Sequence, residues 1–246
     1  MWTARQRVIY RRDEERYPSN LTDMEWERLK PLIPDASPGG RPRKTDMRAA
    51  MNAIFYLLRT GCPWRYLPRD EFPARSTVYN IFRKFQKDGV WEAIWEDLHM
   101  TLRERLGREA SPTAAVIDSQ SLKAAEKGAV HSAGIQDRDG AALVLDKIRN
   151  RFPWLELVWA DNGYNAWQVE TAVAKVPVLR LEIVKRSDDL KGFVVLPRRW
   201  LVERAFSWFG RNRRIAKDDE NLNRKALAFL RLASIRLMLR KLCNPA

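Results

Sequence analysis

Residues 114–118 read AAVID and residues 155–161 read LELVWAD, two apolar runs that each close on an aspartate. With VLRLEIVK at 178–185 they form three short aliphatic runs, separated by stretches of helical pattern at 140–152 and 166–176. That alternation predicts an α/β domain whose three strands lie in one sheet. If the first two strands are neighbours, Asp118 and Asp161 emerge at the same sheet edge, where ligands of open α/β sheets bind.

A third acid, Glu203, falls on a helix beginning near Arg198. Its apolar face runs through Val202, Phe206 and Phe209, and its cationic flank carries Arg198, Arg199, Arg204, Arg211, Arg213 and Arg214. Three carboxylates partly neutralise two Mg²⁺ ions, leaving them Lewis-acidic enough to activate a water or a DNA 3′-hydroxyl. Mn²⁺ fits the same hard oxygen donors. The only histidines, His99 and His131, sit in no recognisable site, and metal-assisted phosphoryl transfer needs neither. Each acid also has an ordinary reading. Asp118 is a turn former, Asp161 opens an Asp-Asn-Gly turn, and Glu203 can pair with Arg199 one helical turn earlier.

Upstream of the strands the pattern is helical throughout. Thr22 and Glu25 have capping-box spacing, and Trp26, Leu29 and Ile33 follow on one stripe until Pro31 compromises its last turn. The segment PGGRPRK at 38–44 has the composition of an extended arm, with Arg41, Arg43 and Lys44 available to phosphates; a solvated linker explains it equally. Met47, Ala50, Met51, Ile54, Phe55 and Leu58 mark a core-facing helix that stops at Gly61. In the next helix Val78, Phe82 and Phe85 form a buried stripe, while Thr77, Asn80, Lys84 and Lys87 fall on another face. Ser76 or a neighbour can cap its start and Arg75 stands beside it, an arrangement similar to a helix-turn-helix recognition helix. An ordinary surface helix with solvated lysines is the competing reading. Trp91, Ile94, Trp95, Leu98 and Leu102 then give a closing helix.

The chain has 246 residues, 45% of them hydrophobic, with ten tryptophans and a formal charge of +14. That is enough apolar surface for real cores, and a positive field concentrates polyanions, so DNA is the natural partner. Cys62 and Cys243 stand alone, which excludes a disulfide framework and a zinc finger and suggests a reducing compartment. The amino-terminal stretch lacks the apolar core of a signal peptide, and no apolar run is long enough to span a bilayer, so a cytoplasmic, nucleoid-associated protein with no membrane partner is expected. Three regions result: a basic arm at 1–20, an all-helical DNA-binding module at 21–110, and an α/β domain at 111–246. In the last, Leu227, Leu230, Ile235, Leu239 and Leu242 mark a helix suited to packing on the sheet or to a dimer contact.

The strings AVIDSQSLKAAEKG, IQDRDGA, WADNGY, EIVKRSDDLKGFVVLPRRWLVERAFSWFGRNRR and IRLMLRKL closely resemble bacterial insertion-sequence transposases of the DDE type, in the insertion-sequence-five group. LTDMEWERLKPLIP, GRPRKTDMRAAMNAIFYLLRTGCPWRYLP and STVYNIFRKF resemble that group's DNA-binding region, so the likeness covers nearly the whole chain. The resemblance implies a ribonuclease-H-like fold with Asp118, Asp161 and Glu203 as catalytic, metal-holding acids, and Arg199 against DNA phosphate. It also implies transposon ends and target DNA as substrates and a homodimer on DNA.

One departure stands out. After EKG the family normally continues with a Gly- and Lys-rich stretch and a pair of antiparallel strands, whereas here Gly128 runs directly into Ala129. The spacing from Asp118 to Asp161 is too short for the usual ribonuclease-H-like core, so a shortened sheet is expected. Three functions remain open. They are a DDE transposase, a catalytically impaired derivative that binds DNA as a repressor or recruited factor, and a metal nuclease without end specificity.

Overall fold

The computed structural model describes residues 15–36, 39, 42–117, 145, 152–160, 167–174, 178–184, 197–216 and 223–243. Its first helix, α1 (Asp23–Leu29), opens on the expected capping box: Glu25 N–H donates to Thr22 Oγ1 at 3.3 Å and Thr22 N–H to Glu25 Oε2 at 3.0 Å. Pro31 does not break the chain direction here. The helix tightens into a 3₁₀ turn, Lys30–Leu32, where proline occupies an early position that needs no donor.

Helix α2 (Met47–Thr60) is capped by Asp46 and ends at Gly61, whose left-handed φ of 69° terminates it. A long connection containing the 3₁₀ turn Trp64–Tyr66 leads to α3 (Arg75–Lys87). It exceeds the three or four residues that join the helices of a helix-turn-helix. Ala74, not Ser76, occupies the N-cap of α3, and no side chain caps it. The stripe Val78, Phe82 and Phe85 is buried as expected. Gly89 at φ 74° turns the chain into α4 (Val90–Arg105), which buries Trp91, Ile94 and Leu98.

All three expected strands form, each shorter than its apolar run: β1 (Ala114–Ile117), β2 (Leu157–Ala160) and β3 (Arg180–Ile183). They make a parallel sheet in the order β1-β2-β3, with Ile117 opposite Ala160 and Ala160 opposite Ile183. The third run starts late because Val178 sits at φ 69°, a conformation that a β-branched residue rarely adopts, and the chain turns there before pairing. Helix α5 (Trp167–Ala174) packs against β3, and its Val169 and Val173 join Ile117, Leu155, Val158 and Leu179 in one core.

Two cationic helices follow, α6 (Pro197–Gly210) and the short α7 (Arg213–Ala216), and then the long α8 (Asn223–Cys243). The outcome for α8 differs from the sequence reading. Phe229, Leu232, Ile235 and Leu239 belong to the core formed by α1 to α4, not to the core of the sheet. The helix is buried on nearly every side, as a helix at the centre of an all-helical body must be. Phe229 stacks on Phe82 at 4.9 Å between centroids.

Arginines on α8 hold it there. Arg236 pairs with Glu25 at 2.6 Å and donates to the Asn20 carbonyl at 2.8 Å, both guanidinium and carboxylate being buried. Arg231 pairs with Glu92 at 3.0 Å, and Arg105 of α4 donates to the Leu242 carbonyl. Among the described residues, no helix is long and apolar enough to cross a membrane.

Candidate functional site

The parallel register fixes the sheet edge that matters. Ile117 and Ala160 are the last residues of paired strands that run in the same direction. Asp118 and Asp161 are the residues that follow them in the sequence. Both aspartates lie outside the described residues. Position 203 lies within α6, whose backbone is described there but whose side chains from 197 to 203, including Arg198, Arg199 and Glu203, are not. Helix α6 contacts β1, the strand that leads to Asp118. Among the described residues, no group of three His, Cys, Asp or Glu could hold a metal ion.

A second set of candidate residues sits on α3. Arg75, Asn80, Lys84 and Lys87 are exposed and Thr77 is half-buried, while the opposite side of the helix is core. Lys84 meets Asp88 at 2.8 Å, an exposed i to i+4 pair that constrains it only weakly. Two neighbours of this face were not legible in the residue order. Arg83 and Lys225 both lie over the Tyr79 ring, at 5.9 Å and 5.7 Å, so the start of α8 adds a cation to the rim of α3. Only the fold brings residue 225 there.

The other candidate cations divide by what they touch. Arg43 is exposed but donates to the Pro34 and Asp35 carbonyls at 2.9 and 3.0 Å, bracing its own arm; Lys44 is exposed, and Arg41 lies outside the described residues. Arg211 and Arg213 are exposed. Arg214 is buried, donates to the Cys62 carbonyl at 3.3 Å and lies over Phe229 at 5.3 Å, so its guanidinium helps hold α7 to the helical core.

Electrostatic crowding is visible where α6 meets α8. Arg204 and Lys241 both lie over the Trp208 ring, at 4.6 and 4.9 Å. Burial lowers the Lys241 pKa, and the neighbouring charges of Arg204 and Arg108 lower it further. His99 stacks on Trp95 at 5.1 Å, and its pKa is lowered by burial and then by Arg103, which favours the neutral ring.

Family models of known proteins match both halves of the chain. A family model for IS4/5-family transposases matches residues 21–95, and one for the transposase DDE domain matches residues 113–238, about half of the chain. The chain is 30% identical over 115 residues to the "Insertion element IS402 uncharacterized 16.2 kDa protein" of Burkholderia cepacia, covering 44% of this chain and 76% of that protein. It is 26% identical over 123 residues to "Uncharacterized protein y4sN" of Sinorhizobium fredii (strain NBRC 101917 / NGR234), covering 50% of this chain and 88% of that one. No solved structure matches.

Proposed function

Because this chain belongs to the DDE transposase family of insertion elements, we propose that it binds the terminal repeats of its own element and cuts and joins DNA there by metal-dependent phosphoryl transfer. The observation that carries this reading is the register of β1 and β2, with Ile117 opposite Ala160 immediately before the two aspartates, and α6 lying against β1. DDE domains generally use divalent metal ions. The donors fit such an ion: Asp118, Asp161 and Glu203 offer only hard carboxylate oxygens, which suit Mg²⁺ or Mn²⁺ and not softer metals. When bound, the ions would lower the pKa of the attacking water or 3′-hydroxyl and stabilise the leaving oxygen.

The chain's own residues supply binding and orientation. Asn80, Lys84 and Lys87 on α3, with Arg75 and Thr77 at its start, form the face for base edges and phosphates. Arg41, Arg43 and Lys44 add backbone contacts from the arm, and Arg198, Arg199, Arg211 and Arg213 flank the acids along α6 and α7. Arg214 acts in this scheme by anchoring α7. A homodimer would hold two ends together.

One observation favours a second reading. The direct run of Gly128 into Ala129 departs from the family pattern between the two aspartates, and two-metal sites tolerate little displacement of their carboxylates. A derivative that recognises ends without cutting them would keep α3 and lose turnover. Labelled DNA carrying the element's ends, incubated with Mg²⁺ or with EDTA beside an Asp161→Ala variant, separates the two. Metal-dependent nicks lost in the variant support the transposase. Specific binding with no product supports the binder, and nicks that survive the substitution reject the site.

A further inference from the structure

A surface cleft of about 90 Å³ opens where α2, α6 and α8 meet, room for roughly six waters or for a phosphate group with its hydration. Arg59, Arg211, Arg236 and Arg240 line it, together with Trp208 and Asn212, and among the described residues no carboxylate does. Arg236 is already balanced by Glu25. Arg59 donates to the Arg211 carbonyl, which satisfies a hydrogen bond without cancelling a charge. Trp208 forms one wall and carries Arg204 and Lys241 against its ring.

We propose that this cleft is a second DNA contact, holding one backbone phosphodiester between Arg59, Arg211 and Arg240 beside Trp208. The inference rests on the DNA-binding reading; Arg211 is already among the cations along α6 and α7, and Arg59, Arg240 and Trp208 add surface that neither α3 nor the acids supply. Guanidinium groups suit a phosphodiester because their planar donors fork onto its two free oxygens. Five residues separate position 203 from Trp208, roughly 7.5 Å along α6 and about 140° around it, so the cleft opens on a different side of that helix from position 203.

The test uses the full chain and a duplex bearing the element's terminal repeat, with affinity measured across a salt series. Replacing both Arg59 and Arg211 by Gln should flatten the slope of log K against log salt by about one, the share of a single phosphate contact. Affinity should fall by a similar factor on every sequence. A Lys84→Gln/Lys87→Gln variant serves as the comparison on α3. If the wild type shows no preference for its ends, the underlying DNA reading fails. If it binds and the cleft variant, melting like the wild type, keeps the full slope, only the cleft is overturned. Since Arg59 also holds a carbonyl, a second arm leaves it untouched: neutral methylphosphonates are placed one at a time near the element's end. One position should weaken the wild type and have no further effect on Arg211→Gln. Equal weakening of both proteins at every position would overturn the proposal.

Discussion

Replacing Glu25 by Gln should destabilise the whole helical body, although Glu25 lies far in sequence from the helix it anchors. Its carboxylate is fully buried and meets Arg236, whose side chain is 8% exposed. Glutamine keeps the size of the side chain, and its carbonyl can still accept the Thr22 N–H and the Arg236 guanidinium that now share Oε2. The negative charge is lost, and the other carboxylate oxygen becomes an amide donor. Stranding a buried guanidinium in this way costs about 3–5 kcal/mol, a large part of the roughly 5–15 kcal/mol that holds a domain folded. With a urea m-value of about 2 kcal/mol/M, the unfolding midpoint should fall by about 1.5–2.5 M. Trp91 is buried in the same core and reports the transition by fluorescence. Arg236→Met removes the other charge, lets the thioether rest on Phe55 where the guanidinium now lies, and leaves the Asn20 carbonyl without that donor. The double variant should cost less than the two single changes added together, by about 1–3 kcal/mol of coupling. A midpoint shift below about 0.5 M for Glu25→Gln, or strict additivity in the cycle, would refute the claim that this pair pins α8 into the amino-terminal helices.

Three further outcomes are expected. Gly61→Ala should cost at least about 1–2 kcal/mol in chemical denaturation, because a Cβ there would meet Arg213 Cβ at 3.0 Å and would have to adopt a left-handed backbone; an unchanged midpoint would mean that α7 does not sit against the end of α2. Val178→Gly should be neutral to stabilising by about 1 kcal/mol, since the exposed valine holds φ at 69° and loses no packing, and a clear loss of stability would show that residue to be unstrained. His99 resists protonation in the folded state while the unfolded chain takes a proton near its ordinary value of 6.5. The unfolded state therefore binds more protons between the lowered pKa and 6.5, and stability falls as pH drops through that window. Melting temperatures from neutral pH downward should show this fall, and His99→Gln should make it shallower; identical profiles would remove His99 as its source.

The helices whose meaning is local could be read from residue order alone. The capping box at Thr22, the Gly61 stop, and the stripe of Val78, Phe82 and Phe85 each involve residues within a few positions of one another. The three strands could be found for the same reason, and their shared direction follows once helical segments are seen between them. What escaped was pairing at long range. Helix α8 carries apolar residues on every side with arginines among them, and such a pattern says that the helix is buried but not in which core. Its assignment depends on Glu25, Glu92 and Phe82 meeting Arg236, Arg231 and Phe229. Arg214 escaped likewise, since nothing in a run of cations distinguishes the one that turns inward. The acids are a different case: Asp118, Asp161 and Glu203 stand out by their motifs, and the register pairs the residues that precede the two aspartates, while the three carboxylates lie outside the described residues.

The place of α8 has a consequence for how the protein is made. A ribosome adds about 5–20 residues per second, so the four amino-terminal helices emerge roughly 5–30 s before the helix at 223–243 that fills their centre. Through that interval Phe82, Trp91 and Leu98 have no Phe229, Leu232 or Ile235 to cover them. The nascent polypeptide therefore exposes apolar surface for that interval. A product cut short before residue 223 should be cleared by proteases and leave no folded helical module behind.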